Sequence, residues 1–94
     1  MLSEQEKQTI KRGKLLIALI NPKFVEDKRN YEICRYAASQ NKLMYAIIKQ
    51  DTDYKKFKTF PWRKIYYYTN INDLSDILRK IKKDKNFYEA VCNV

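Results

Sequence analysis

Leu15–Ile20, LLIALI, is the stretch that decides the fold. Its six residues are apolar without alternation. A run of that kind fits a strand buried on both faces, as in a parallel sheet, and competes with a buried helix. Asn21-Pro22 follows it, and a proline drives the preceding residue towards extended backbone. The strand is therefore the preferred reading. Beyond the proline, a charged loop leads into a helix that carries Glu32.

A second run, Leu43–Ile48, has the same length and character. The segment between the two runs holds one helix, starting at Asp27 or Asn30 and ending near Gln40. Tyr31, Cys34, Ala37, Ala38 and Asn41 recur there at helical spacing, and Ala37-Ala38 lets the helix lie close to a sheet. Strand, helix and strand make a βαβ unit with a right-handed crossover. Lys64–Tyr68 reads as a third, aromatic strand nearer the sheet edge.

The stripe Leu74, Ile77, Leu78, Ile81 then marks a helix, capped by Asn70 or Asn72 and running to about Lys83. Asn86–Val94 extends it by a last turn. At the other end, Ser3 and Glu6 form a capping box for a helix from Ser3 to Arg12, with Gly13 just past its end. Its apolar face is thin, only Leu2 and Ile10.

The expected fold is a small three-layer α/β domain with a short, mainly parallel sheet of about three strands, wired like half of a flavodoxin-like fold. It forms one domain. Residues 1–13 are an N-terminal helix, 14–83 the core and 84–94 a C-terminal extension. So narrow a sheet has two edges that must be covered, paired or used for dimerisation.

Bulk properties narrow the chemistry. The chain has 94 residues, 45% of them hydrophobic, with one glycine and two prolines, which argues against disorder. No apolar run approaches the roughly 20 residues that span a bilayer, so no membrane partner is expected. MLSEQEKQTI lacks the apolar core of a signal peptide. A cytoplasmic location with Cys34 and Cys92 reduced follows. With no histidine and no CxxC spacing, no metal site is expected. Phosphate-loop and dinucleotide-fingerprint readings fail for want of glycine.

The net charge of +9 is spread evenly, ten basic and five acidic residues in 1–50 against ten and six in 51–94. Such a charge suits nucleic acid, acidic proteins or phosphate-bearing ligands. It is also what a Lys-, Asn-, Ile- and Tyr-rich composition yields without selection for binding.

Residues 54–64 interleave Lys55, Lys56, Lys58, Arg63 and Lys64 with Tyr54, Phe57, Phe60 and Trp62. Stacking plus charge is the chemistry of single-strand nucleic-acid binding, and Lys55, Lys56, Lys58, Trp62, Arg63 and Lys64 would carry it. The simpler alternative has the rings capping the core and the lysines in solvent. Asp51 and Asp53 follow a strand end, where α/β proteins bind ligands. They fit a Mg²⁺-phosphate site or, more simply, a turn.

The succession from Leu15 to Leu78 resembles the second half of a TIR (Toll/interleukin-1 receptor) domain. In that family a buried strand enters a Ser-x-x-Phe/Tyr turn, and Asn21-Pro22-Lys23-Phe24 is similar to it. A Trp-Cys-x-x-Glu segment follows on a helix; Tyr31-Glu32-Ile33 supplies the glutamate within a one-residue gap, while Lys28-Arg29-Asn30 stands where the Trp-Cys pair would be. Leu43–Ile48 resembles the next strand, and Asp51, Pro61, Ile65–Tyr68 and Asn72-Asp73-Leu74 follow in the family's order. The family's first two strands and first loop have no counterpart here.

The resemblance implies a protein-interaction or nucleotide-sensing module in signalling or host–pathogen defence, acting as a homo-oligomer or with a TIR-type partner. It also implies a possible catalytic role for Glu32 on the ribose of NAD, as substrate or ligand rather than cofactor. Asn21, Phe24, Arg35 and Asp51 are then the expected ligand contacts. The missing first loop, which helps hold the nucleotide in the family, makes a chain that is non-catalytic alone the first expectation. An NAD-cleaving oligomer is the second, and a basic nucleic-acid-binding protein the third. Without the resemblance, Glu32 is a first-turn helix glutamate, favourable against the macrodipole and paired with Arg35 or Arg29.

Overall fold

The computed structural model describes residues 2–92. Met1, Asn93, Val94 and the side chain of Cys92 lie outside the described residues, and with them the expectations for the Cys92 thiol and the end of the last turn. The elements are α1 (Glu4–Arg12), β1 (Leu15–Ile20), α2 (Pro22–Glu26), α3 (Lys28–Ser39), β2 (Leu43–Lys49), β3 (Lys64–Tyr68), α4 (Asp73–Lys82) and α5 (Lys85–Cys92). A 3₁₀ turn, Lys55–Phe57, lies between β2 and β3.

The three strands form one parallel sheet in the order β1-β2-β3. Leu15 stands opposite Leu43 and Tyr45 opposite Lys64. The central strand β2 is sealed, and residues 44–48 are at most 2% exposed. Alternation along the strands divides the side chains between two faces. On one face, Leu16, Ala18, Ile20, Met44, Ala46 and Ile48 pack beneath Cys34 and Ala37 of α3 and beneath Phe57. On the other, Ile17, Tyr45, Ile47, Tyr66 and Tyr68 pack beneath Ile77 and Ile81 of α4 and Phe87 of α5. Both inter-strand connections cross the first face, as two successive crossovers of one hand require. The result is the expected three-layer α/β domain with a three-strand parallel sheet.

β1 departs from the expectation of burial on both faces. Ala18 and Ile20 are buried, but Leu19 is 43% exposed. Ile77 and Ile81 of α4 are packed with Tyr45, Ile47 and Tyr68 of β2 and β3, and β1 has no strand on its outer side among the described residues. Its unalternated sequence is two-faced, and only one face is fully covered.

The charged loop after Pro22 is a short helix instead. Asn21 caps α2, its Oδ1 accepting the Phe24 N–H at 2.8 Å, and Pro22 fills the first turn, where a missing N–H costs nothing. Asp27 then caps α3 through the Arg29 N–H at 2.9 Å. Asn41 is not part of the α3 apolar stripe. It sits at φ 57° just past the helix, with its N–H on the Ala38 carbonyl and the Lys42 N–H on the Ala37 carbonyl. That is a Schellman ending with asparagine in the left-handed position.

α1 has the capping box read from Ser3 and Glu6, with both reciprocal hydrogen bonds present. It is docked rather than loose. Glu6 pairs with Arg29 of α3, and Lys42 Nζ donates to the Lys11 carbonyl at 2.6 Å. The backbone N–H of Ser3, together with Arg29, holds the Glu6 carboxyl below its ordinary pKa despite desolvation.

The C-terminal extension is a separate helix, α5, because the chain breaks at Asp84. That residue is 6% exposed. Its carboxylate accepts the Asn86 N–H at 3.0 Å and the Tyr45 hydroxyl at 3.0 Å, and Arg63 Nε stands 3.6 Å away. One side chain thus ties α4, α5, β2 and the start of β3 together. Burial raises its pKa, but the Asn86 N–H, the Tyr45 hydroxyl and the Arg63 and Lys64 charges outweigh that and lower it. Burial, then the bond to Asp84, pushes the Tyr45 hydroxyl up to about 12.

A carboxyl depressed in the folded state stabilises the fold above its unfolded pKa, and that contribution is lost as the pH falls through the folded value. Replacing Asp84 with Asn is expected to cost about 1–3 kcal/mol at pH 7, since a buried charge-assisted network loses its acceptor. In urea melts, the gap between wild type and Asp84→Asn should narrow once the pH falls below about 4. A gap that stays constant to pH 2.5 would contradict the ionised role of Asp84.

Candidate functional site

A hollow of about 620 Å³ lies between the start of α3 and the 3₁₀ turn. It sits beyond the carboxyl ends of β1 and β2, because both connections that line it leave those ends. Lys28, Tyr31 and Glu32 form one wall, Lys55 and Lys56 the other, and Thr59 closes it. Tyr31 is held by its ring packing on Phe57 and Phe60, at 5.7 and 5.3 Å between centroids. That packing sets the rotation of α3 and turns the adjacent Glu32 outwards.

Glu32 stands on a ridge. A second hollow of about 330 Å³ lies on its other side, between α1 and α3, and contains Lys7, Arg35 and Tyr36. Glu32 makes no hydrogen bond or ion pair among the described residues, and Arg29, its expected partner, is taken by Glu6. The two hollows flanking Glu32 hold five cations, Lys28, Lys55 and Lys56 on one side and Lys7 and Arg35 on the other, with Glu26 as a second carboxylate.

The remaining expected contacts lie elsewhere. Asn21 spends its side chain on the α2 cap. Phe24 packs on Phe57, 5.4 Å between centroids, and its carbonyl accepts Asn30 Nδ2 at 3.1 Å. Asp51 is an exposed turn residue at φ 69°, a conformation aspartate tolerates better than most side chains. Asp53 caps the 3₁₀ turn through the Lys55 N–H at 3.2 Å. Glu32 and Arg35 come together; Asn21, Phe24 and Asp51 line neither hollow.

The aromatic and basic segment divides in two. Phe57 is buried, and Phe60 and Trp62 pack against the same core. The Trp62 indole N–H donates to the Phe57 carbonyl at 2.7 Å. Tyr54 shares a hydrogen bond with the Tyr67 hydroxyl. The rings are committed to packing. Arg63 is held by Asp84 and by Asn86 Oδ1 at 3.2 Å. Lys55, Lys56, Lys58 and Lys64 remain exposed, so this surface offers charge without free stacking platforms.

No local pattern in the sequence joins Glu32 to Lys55 and Lys56, or marks Lys28, Thr59 or Lys7. Their meeting depends on how α3 is rotated against the 3₁₀ turn, which the ring packing of Tyr31 determines. Cys34 is buried, and burial pushes its thiol up to about 12, so it is no nucleophile near neutral pH. Among the described residues, no three His, Cys, Asp or Glu side chains are grouped as metal ligands. No described helix is long and apolar enough to cross a membrane.

Because Glu32 has no partner to lose, Glu32→Gln is expected to change folding stability by no more than about 0.5 kcal/mol. A loss above 1.5 kcal/mol in chemical denaturation would mean the carboxylate is structural. No protein-family model, curated protein or solved structure matches the chain.

Proposed function

We propose that this chain is a small TIR-like interaction module, non-catalytic on its own, that works in signalling or defence by engaging another protein through the open edge of its sheet. The observation that carries this reading is the outer edge of β1. Among the described residues, Leu15–Ile20 pairs on one side only, and it has no charge along its length. An apolar edge with unpaired N–H and C=O groups is a template for another strand. Natural proteins that do not use such an edge blunt it with lysine, proline or a bulge, and β1 has none of these within the strand.

The surroundings of Glu32 fit a non-catalytic role. A general acid or base works against an oriented partner within hydrogen-bond reach, and Glu32 has no such partner among the described residues. The hollow beside it is lined by the exposed lysines Lys28, Lys55 and Lys56, with no hydrogen bond among the described residues that fixes their ammonium groups as a preorganised donor set. Lys55 and Lys56 suit an anionic group on a partner's surface.

The purified chain should show no NAD cleavage above buffer, with Glu32→Gln indistinguishable from wild type. Product formation followed by chromatography checks this. Turnover that disappears in Glu32→Gln would overturn the reading in favour of an enzyme.

A further inference from the structure

We infer that the partner strand at the β1 edge is β1 of a second copy of this chain, paired antiparallel about Ile17 to give a continuous six-stranded sheet. The inference rests on the interaction reading above and specifies its partner.

The edge is unusual in its charge. A chain of net charge +9 associates with itself only through a strip that brings no cations face to face. β1 is such a strip, with no charged side chain between Lys14 and Lys23. The opposite edge, β3, begins with the exposed Lys64, the device that discourages pairing. Charges beyond the strip are screened over about 8 Å at physiological salt.

The register follows from side-chain direction. Antiparallel neighbours keep apolar groups on matching faces only if opposed residues share parity. Centring the twofold axis on Ile17 sets Leu15 opposite Leu19 and Leu16 opposite Ala18. On the α4 face, the 43% exposed Leu19 gains the partner's Leu15 as a cover. On the α3 face, Leu16 meets the smallest side chain in the strand. Beside Ala18 lies a hollow of about 260 Å³ bounded by Leu16, Leu19, Phe24, Ile33 and Cys34. Each copy thus presents a leucine and a recess for the other's leucine, the self-complementarity that an isologous interface demands.

The area decides the strength. A six-residue strand is about 20 Å long, and with one layer of side chains on each face it covers about 400 Å² per copy. That totals about 800 Å², below the roughly 1,200 Å² of stable specific interfaces, so the dimer is a weak, concentration-dependent one. The axis is perpendicular to the sheet, so both Glu32–Lys55–Lys56 hollows lie on the α3 face of the dimer, at its opposite ends.

Sedimentation equilibrium and disulfide trapping test this. Wild type should pass from monomer to dimer as its concentration rises from micromolar to millimolar. Leu19→Lys should raise the dissociation constant about tenfold or more with an unchanged thermal melt, because Leu19 is already half-exposed. Ile17→Cys in a Cys92→Ser background should cross-link under mild oxidation, since a residue on the axis faces its own copy at about 5 Å between Cβ atoms. Ala18→Cys in the same background should not. Cross-linking through Ala18 instead, or wild type that stays monomeric at millimolar concentration, would overturn the self-pairing. The Leu19→Lys comparison needs no cysteine variant to fold. NAD turnover measured on the same samples separates the two failures. A silent monomer ends only the self-pairing, whereas Glu32-dependent turnover ends the interaction reading itself.

Discussion

The burial of β2 on both faces and along both edges is the constraint on which the rest of the molecule depends. Its apolar residues can leave water only if a strand lies on each side and a layer covers each face. Parallel neighbours meet the first need, and parallel neighbours require crossovers. The crossovers meet half of the second, by placing α3 and the 3₁₀ turn over one face. The other face then needs α4 and α5, which fold back after β3. The outer strands inherit the cost of this arrangement. Among the described residues each has one free edge, and β1 also has a face that no helix fully covers.

Asp84 is the polar counterpart of that apolar centre. It is buried where α4 ends and α5 begins, and Tyr45 and Arg63, from distant parts of the chain, converge on it beside the neighbouring Asn86 N–H. A buried carboxylate tolerates such a place only when its lone pairs are satisfied. The hydroxyl of Tyr45 and the Asn86 N–H do this, with Arg63 as counter-charge. The same residue that stops one helix caps the next, so the turn between them is specified by a core interaction as well as by local preference.

The surface features arise from what the core leaves over. Tyr31 locks α3 against Phe57 and Phe60, and Glu32 comes to lie between two hollows that also hold lysines and Arg35. The aromatic rings of residues 54–62 close the core, while the interleaved lysines stay in solvent. β1, lacking a neighbour, keeps an uncharged strip on an otherwise basic protein. The charged hollow and the apolar edge are the two surface features on which the proposed interaction rests.

The amino-acid sequence by itself determined the three strands, the αβ layering, the α1 capping box and the core stripe of α4. These follow from apolar periodicity and capping, which act over a few residues. The signal for α2 was present as well, in an asparagine cap before a proline. The charged residues after it masked that signal. The outcome for β1 was not legible, since an unalternated run states only that both sides tolerate burial. Which side is covered depends on where α4 lands. Rings capping the core with lysines in solvent is the simpler reading of residues 54–64, but nothing in the sequence could join Glu32 to Lys55 and Lys56. Such pairings are set by the rotation of one helix against a turn more than twenty residues away. Asp84 is the clearest case. In sequence it is one acid within a basic helical run, and only the tertiary structure brings Tyr45 and Arg63 to it and makes its burial stable.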